Sequence, residues 1–322
     1  MLESFVTLAL AALVIEALVG YPDAVYRAIG HPVTWMGRVI GALDRLLNRP
    51  QWSFEARRWA GVAALAILLG VTAIAALSLA GTFARWPGGW LLTMVVAASL
   101  PAQRSLHDHV KAVADALDEG GIEAGRKAVS MIVGRNPATL DEAGVCRAAI
   151  ESLAENFSDG VVAPALWTAV GGLAGGALYK AANTADSMIG HRTPRHEAFG
   201  WAAARFDDLV NLPASRFSAV WLLAASWMVP GTSPAEGWKA LLRDAGRHRS
   251  PNAGWPESIV AGVLGLKLAG PRVYGQTLVD DAYMGDGRRE ATVADIRRAL
   301  VLYRVACAVQ AGAIAIIVLL AL

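Results

Sequence analysis

The sequence predicts an all-α polytopic membrane protein, with four or more transmembrane helices plus short re-entrant or buried helices and cytoplasmic helical loops. Composition is the first reason: 55% of the 322 residues are hydrophobic and only 17% are charged, whereas soluble domains average about 45–50% and about 25%. The second reason is that some apolar stretches reach the roughly 20 residues that a helix needs to cross a bilayer. The net charge is only +2 and no long Lys or Arg run occurs, which argues against a nucleic-acid partner.

Three apolar stretches have the length and composition of full spans: 59–83, 300–322 and 2–20. The last of these carries Glu3 and Glu16 and lacks a positively charged start, so we expect a retained membrane helix rather than a signal peptide. Four further stretches are short or rich in glycine; they cover residues 90–100, 161–179, 217–229 and 259–269. We expect several of them to enter the membrane and return, or to be buried in protein.

The distribution of basic residues predicts the orientation. Loops 21–58 and 101–160 each hold six Lys or Arg, so the positive-inside rule places both in the cytoplasm. Loops 180–216 and 232–257 also carry several basic residues, and we expect them on the same side. No internal repeat or low-complexity linker divides the chain, which predicts one integrated membrane domain over 1–322 without a β-sheet.

The first candidate site segment is a run of carboxylates just before an apolar stretch. On a helix Glu151, Glu155 and Asp159 fall at i, i+4 and i+8 and would line one face, beside Asn156. Like charges at this spacing repel each other, and a hard cation such as Mg²⁺ or a basic partner would relieve the repulsion. The alternative is a solvated helix face paired with Arg147.

The second segment directly follows an apolar stretch. It carries Lys180, Asn183, Ser187 and His191 at helical spacing, with Asp186 one turn from Asn183. Polar groups at membrane depth are costly, so such groups are functional candidates by default. His191 is a candidate acid–base group or phosphate ligand, and the alternative for the whole segment is capping and loop hydrogen bonding.

The third segment contains an Asp-Asp-x-x-Asn pattern. Asp207 and Asp208 lie four and three residues before Asn211, so each carboxylate can share a helix face with the amide. Such oxygen ligands suit an Mg²⁺ ion that bridges phosphate oxygens. Arg205 and Arg216 can bind phosphate or carboxylate through two parallel hydrogen bonds. An isolated Asp-Asp pair is also common on solvated helix faces.

The fourth segment is a loop punctuated by Pro and Gly. Ser250 and Asn252 offer hydrogen bonds, Glu257 offers a carboxylate, and Trp255 offers a flat apolar surface. An interfacial loop with a belt tryptophan is the alternative interpretation.

These residue types suggest a division of roles. The predicted catalytic groups are Glu155, Asp159, His191 and Lys180. The predicted substrate-binding groups are Glu151, Asn156, Asn183, Ser187, Arg205, Arg216, Ser250, Asn252, Trp255 and Glu257. The predicted metal ligands are Asp186, Asp207, Asp208 and Asn211.

The polar segments also resemble a known family in sequence order. They contain G-H-P-V-x-W-M-G from Gly30, R-A-x-I-E-S-x-A-E-N-x-x-D-G-x-x-A-P from Arg147, and Y-K-A-x-N-T-x-D-S-M-I-G from Tyr179. F-G-x-x-x-A-R-x-D-D-x-x-N from Phe199 and S-P-N-A-G-W-P-E from Ser250 follow. Together these motifs resemble the CobD/CbiB family of cobalamin-biosynthesis amide synthases along nearly the whole chain.

The resemblance implies an ATP- and Mg²⁺-dependent synthase. It would join adenosylcobyric acid, a corrinoid, to (R)-1-aminopropan-2-ol O-phosphate or to aminopropanol, through an acyl phosphate, to give adenosylcobinamide phosphate. The expected location is a bacterial inner membrane with the active site facing the cytoplasm. The expected partners are the lipid bilayer and other late cobalamin-assembly enzymes.

Three other classes compete with this interpretation. An AmpE-like non-enzymatic membrane sensor belongs to the same superfamily, although a sensor has no need for three polar clusters. An Mg²⁺-dependent membrane transferase that acts on a diphosphate also uses Asp and Asn clusters on membrane helices. A transporter should show two inverted halves with broken helices, and no such symmetry is visible in the sequence.

Overall fold

A computed structural model describes residues 2–134, 136–274, 277–279 and 281–321, and the predicted all-α fold is confirmed. The α-helices are α1 (Leu2–Val19), α2 (Asp23–Ile29), α3 (Pro32–Leu47), α4 (Phe54–Phe83), α5 (Gly89–Ala97), α6 (Gln103–Val129), α7 (Glu142–Phe157), α8 (Ala163–Ala185), α9 (Trp201–Ser226), α10 (Pro234–Asp244), α11 (Gly254–Leu264) and α12 (Val293–Ala321). Two π-helical segments, Ser158–Val162 and Asp186–Gly190, follow α7 and α8, and a 3₁₀ turn, Ala245–Arg247, follows α10.

Within the described residues, three helical stretches are long and apolar enough to cross a membrane: Phe54–Phe83, Glu142–Gly190 and Val293–Ala321. A fourth span results if Ser4–Val19 and Ala24–Leu47, which meet at a bend of 107°, count as one. The full spans predicted at 59–83 and 300–322 therefore fall within α4 and α12. The span predicted at 2–20 is long and apolar enough to cross a membrane only together with Ala24–Leu47, the helical stretch after the bend.

The stretch 161–179 is part of a longer helical run, and our expectation that several marginal stretches are re-entrant stays a prediction. The stretch belongs to the continuous helical run Glu142–Gly190, because α7, a π-helical segment and α8 join end to end. The run is interrupted at Gly171 and Gly172, where Gly172 has φ 60° and ψ −151°, a conformation that other residues rarely adopt.

The described residues divide into two compact units, each assembled from separate chain segments. The first unit comprises Met1–Ala102, Ala163–Asn211 and Ile314–Leu322, and the second comprises Gln103–Val162 and Leu212–Ala313. Our prediction of a single integrated domain stays a prediction.

In the first unit, α8 packs against α1, α3 and α4. One apolar core includes Ile40, Leu68, Ile189 and Phe199. A Cβ atom added to Gly61 of α4 would lie 1.9 Å from the Phe199 carbonyl oxygen, so only glycine allows this close contact. The contact fixes the start of α9 beside the first turns of α4.

In the second unit, α7 packs against α6 and α11, and α10 packs against α11. Four short strands form two antiparallel pairs: β1 (Leu268–Ala269) with β4 (Tyr283–Met284), and β2 (Arg272–Tyr274) with β3 (Thr277–Val279). The expectation of no sheet is therefore wrong at this point. Gly265 ends α11 in the left-handed conformation, φ 67°, so the predicted helical stretch 259–269 stops early and continues into β1.

Candidate functional site

A chain of hydrogen bonds between α8 and α9 forms the polar centre of the first unit. The Asn183 amide nitrogen donates to Asp207 Oδ1 at 3.3 Å, and the Asn211 amide nitrogen donates to Asp207 Oδ2 at 2.9 Å. The Tyr179 hydroxyl donates to Asn211 Oδ1 at 2.8 Å. Tyr179, Asp207 and Asn211 are all buried, so this chain fixes the Asp207 carboxylate inside the protein.

Regular helix spacing explains these hydrogen bonds between α8 and α9. Tyr179 and Asn183 lie four residues apart on α8, and Asp207 and Asn211 lie four residues apart on α9, so each pair presents one face. The predicted pairing of Asp207 with Asn211 on one helix face is confirmed by their hydrogen bond. The helix continues past this point even though Pro213 lies inside it.

The electrostatics of Asp207 are unfavourable for an isolated carboxylate. Burial and, next, the negative charge of Asp186 raise the pKa of Asp207 to about 7, although the hydrogen bonds from Asn183 and Asn211 oppose the shift. A buried carboxylate beside a second one is typical of sites that bind a cation or transfer a proton. The arrangement can therefore accept a positive charge at this position.

The second π-helical segment positions Asp186. Its Oδ1 atom lies over Gly190, where an added Cβ would come within 1.9 Å of that oxygen. His191 follows the segment on extended backbone, with φ −68° and ψ 136°, and is exposed. The expectation of regular helical spacing from Lys180 to His191 is therefore wrong at its end, because the π-helical hydrogen bonding changes the phase and stops the helix.

The other members of that segment differ in exposure. Lys180 and Asn183 are half-buried, whereas Ser187 is exposed and donates its hydroxyl to the Asn183 carbonyl at 2.9 Å. Asn183 thus belongs to the chain of hydrogen bonds around Asp207, Lys180 lies three residues before it on α8, and Ser187 lies at the surface.

Asp208 has a different environment from its neighbour Asp207. Its Oδ2 atom lies 3.3 Å from Arg205 Nη1, and the Arg205 side chain is 54% exposed. The four predicted metal ligands therefore do not share one environment: Asn211 Oδ1 accepts from Tyr179, and Asp208 pairs with Arg205. Across the part of the chain that the structure describes, no group of three or more His, Cys, Asp or Glu side chains is arranged to hold a metal ion.

The predicted carboxylate face of the second unit also divides. Glu151 is buried and its Oε1 accepts the Ala269 backbone N–H at 2.7 Å, whereas Glu155 is exposed. Asp159 is half-buried inside the first π-helical segment. Glu151 and Glu155 stay four residues apart on α7 and differ in exposure, whereas the π-helical segment changes the helical phase before Asp159 and so breaks the expected regular spacing there. Asn156 donates to the Ser152 carbonyl at 2.9 Å.

Arg216, Asn252 and Trp255 form a second cluster in the second unit. Arg216 Nη1 donates to Asn252 Oδ1 and to the Pro251 carbonyl, both at 3.1 Å, and its guanidinium lies 4.4 Å from the centre of the Trp255 ring. Burial lowers the pKa of Arg216. The planar Arg216 cation lies on the aromatic face of Trp255 and beside the Asn252 amide, so this cluster is suited to binding a carboxylate or a phosphate.

Ser250 and Glu257 support this loop. The Ser250 hydroxyl oxygen accepts the backbone N–H groups of Asn252 and Ala253, both at 3.2 Å, and so shapes the turn that carries Asn252. Glu257 is buried, with Oε1 3.8 Å from His248 Nε2. Through these contacts Ser250 and Glu257 stabilise the conformation of the segment that carries Asn252.

Three residues of these clusters had no role in the sequence analysis: Tyr179, Ser215 and His248. Tyr179 lies four residues before Asn183, and this spacing is the one sequence signal that could have placed its hydroxyl among the hydrogen bonds around Asp207. Ser215 is buried with its hydroxyl 3.1 Å from Asn252 Oδ1, a contact between distant segments that spacing cannot predict.

Tyr179→Phe should lower turnover about tenfold, equivalent to about 1.4 kcal/mol of transition-state stabilisation. The change removes the donor that orients the Asn211 amide, so its nitrogen is no longer fixed toward Asp207 Oδ2. A buried neutral hydrogen bond contributes only about 1 kcal/mol to stability, so the variant should stay folded in a thermal melt.

Tyr303→Phe is the matched control, because the buried Tyr303 hydroxyl donates to the Gln103 carbonyl at 2.9 Å and Gln103 is not a predicted site residue. Turnover and melting temperature are measured for both variants. Equal turnover losses in the two would show that the Tyr179 hydroxyl serves packing alone.

The fold and these clusters define a polytopic α-helical membrane protein. Its buried Asp207 carboxylate is held by hydrogen bonds between two helices. The chain belongs to the CobD/CbiB family, whose model, described as "CobD/Cbib protein", matches residues 9–303. It is 51% identical over 315 residues to "Cobalamin biosynthesis protein CobD" of a Sinorhizobium species, which covers 97% of this chain and 98% of the relative.

Two further relatives carry the same name. The protein of Rhizobium meliloti (strain 1021) is 48% identical over 308 residues, with 94% of each chain covered. The protein of Rhodobacter capsulatus is 46% identical over 308 residues, with 95% of each chain covered. No solved structure matches the chain.

Proposed function

We propose that this protein acts in cobalamin biosynthesis as an ATP- and Mg²⁺-dependent amide synthase. It joins adenosylcobyric acid to (R)-1-aminopropan-2-ol O-phosphate and releases adenosylcobinamide phosphate, or joins it to aminopropanol itself and releases adenosylcobinamide. The supporting observation is the buried Asp207 carboxylate beside Asp186. The chain also matches proteins named "Cobalamin biosynthesis protein CobD" over almost their full length.

The reaction requires activation because the oxygen of a carboxylate is a very poor leaving group. Transfer of the γ-phosphoryl group of ATP to a corrinoid carboxylate gives an acyl phosphate and ADP. The amine then attacks the acyl carbon, the C–N bond forms, the C–O bond to phosphate breaks, and inorganic phosphate leaves. The amine must lose a proton for this attack, so the site needs a base.

Asp186 and Asp207 are the groups we assign to a magnesium ion. Mg²⁺ is usually bound through one or two carboxylates, with water and substrate phosphate oxygens as its other ligands, so this donor set fits it. When bound, the ion offsets the negative charge of the transferring phosphoryl group. Asn183 and Asn211 orient the Asp207 carboxylate through the hydrogen bonds described above, and Asp208 stays a predicted ligand that also pairs with Arg205.

The remaining residues bind and move protons. Glu155 and His191 are exposed, and Asp159 and Lys180 are half-buried, so a substrate can reach all four. We assign the base for the ammonium group to this set. Arg216, stacked on Trp255 and bonded to Asn252, binds a phosphate or carboxylate group of a substrate. The basic residues of the loops support our proposal that these groups face the cytoplasm at a bacterial inner membrane.

Purified protein in nanodiscs tests the proposal directly. Adenosylcobyric acid, ATP, Mg²⁺ and the amine, with and without its phosphate, are incubated together, and the corrinoid products are identified by mass spectrometry. We expect the amide product only in the complete mixture, with one ADP formed for each amide. A folded protein that forms no amide with either amine would contradict the proposal and favour the non-enzymatic sensor.

A further inference from the structure

Two adjacent arginines at the first turn of α4 form a surface that the proposed reaction does not use. Arg57 and Arg58 are half-buried. Trp52, Phe54 and Trp59 flank them in the sequence, and the fold brings Trp201 against Arg58. Trp59 is 69% exposed, and Trp52, Phe54 and Trp201 are exposed as well. We call Arg57, Arg58 and Trp201 the arginine pair site.

The fold holds both guanidinium groups in place. Arg58 lies flat over the Trp201 ring, 3.8 Å from its centre. Arg57 Nε donates to Asn48 Oδ1 at 2.8 Å, and its Nη2 donates to the Arg195 carbonyl oxygen. The close contact of Gly61 with Phe199 fixes the two helices that carry Arg58 and Trp201.

The charge of this pair is not neutralised. The acceptors of Arg57 are neutral oxygens, and the nearby Asp44 carboxylate is bonded to Arg195 at 2.6 Å and lies 3.4 Å from His196. Among the residues that the structure describes, neither Arg57 nor Arg58 forms an ion pair with a carboxylate. Two neighbouring cations of fixed geometry therefore have no ion-paired anion in the described part of the chain, although Glu55 lies in the same first turn of α4.

The position on α4 indicates which anion fits. Helix α4 is 30 residues long and apolar enough to span the membrane, so its first turn lies near the boundary between hydrocarbon and water. Exposed tryptophans are enriched at that depth, where their rings contact lipid. A soluble phosphate would leave these rings in water, whereas a phospholipid covers them with its acyl chains.

We propose that the arginine pair site binds the phosphate of an anionic phospholipid headgroup. Stacking on Trp201 occupies the face of the Arg58 guanidinium and leaves its edge for two parallel N–H bonds to phosphate oxygens. Arg57 adds a second positive charge next to it. The site is independent of the amide-forming reaction and concerns how the protein is anchored in its membrane.

The experiment compares nanodiscs of phosphatidylcholine alone with nanodiscs that also contain phosphatidylglycerol. Phosphatidylglycerol should raise the melting temperature of the wild type by about 2–4 °C, and native mass spectrometry should show the retained lipid. Arg58→Gln should lose both effects. Arg85→Gln is the matched control, because Arg85 is the single basic residue just beyond the other end of α4, and it should behave as the wild type.

Arg58→Lys keeps the charge but not the planar fork, so it should lose most of the effect and still fold. An equal response of Arg58→Gln and the wild type would overturn the proposal. An equal rise with inorganic phosphate in phosphatidylcholine nanodiscs would also overturn it and assign a soluble anion. A higher KM for ATP or for the phosphorylated amine in Arg58→Gln would instead place Arg58 in substrate binding.

Discussion

Asp207→Asn should lower turnover more than about 1000-fold, equivalent to about 4 kcal/mol of transition-state stabilisation, while the protein stays folded. Asp207 is the buried carboxylate that both amides hold, and Asn cannot supply the negative charge that a magnesium ion requires. Asp208→Asn is the matched control: its carboxylate pairs with Arg205 near the surface, so it should lose less activity. Steady-state turnover and Mg²⁺ dependence are measured in nanodiscs.

The same variant should be more stable than the wild type in buffer without Mg²⁺. The folded-state pKa of Asp207 is raised from 3.8 to about 7, so the folded protein binds a proton more tightly than the unfolded chain. Stability from this group is complete below pH 3.8 and decreases as pH rises through about 7. Asp207→Asn should lack this decrease in thermal melts. Normal turnover in folded Asp207→Asn would remove Asp207 from the metal site.

Glu155→Gln and Asp159→Asn should each lower turnover at least about 100-fold, equivalent to about 2.7 kcal/mol. Both carboxylates are accessible to a substrate, and neither has the deep burial of Glu151. The expected loss arises because each change removes a charge that can accept a proton or bind a cation in the transition state.

Glu151→Gln is the comparison variant. Glu151 accepts the Ala269 N–H, and a glutamine oxygen can accept the same bond, so its turnover should fall much less. Melting temperatures establish that all three variants are folded. Near-normal turnover at Glu155 and Asp159 would make this motif structural and would leave the Asn183 to Asp208 region as the active centre.

Hydropathy and helix spacing predicted much of the fold. The spans in α4 and α12 follow directly from apolar length, and the bond between Asp207 and Asn211 follows from their spacing of four residues. Arg216 contacts Asn252 and Trp255 because the fold brings these distant segments together, and their assignment as substrate-binding groups stays a prediction.

Other features depend on information that spacing does not contain. Glu151 and Glu155 have the same chemistry and lie one turn apart, yet contact with β1 buries the first and leaves the second at the surface. The strands after Gly265 arise where a left-handed residue ends a helix inside an apolar stretch. Hydropathy alone does not distinguish such a stretch from a longer buried helix.

The two π-helical segments have a consequence for how this chain can vary in length. A π-helical turn accommodates one residue more than an α-helical turn, and one residue corresponds to about 100° of rotation in an α-helix. Deleting a single residue from Asp186–Gly190 would allow regular α-helical bonding but would turn the residues after the deletion by about that angle relative to α8. Asp186 Oδ1 would then no longer lie over Gly190. The length of this segment, as well as its residues, therefore positions the Asp186 carboxylate.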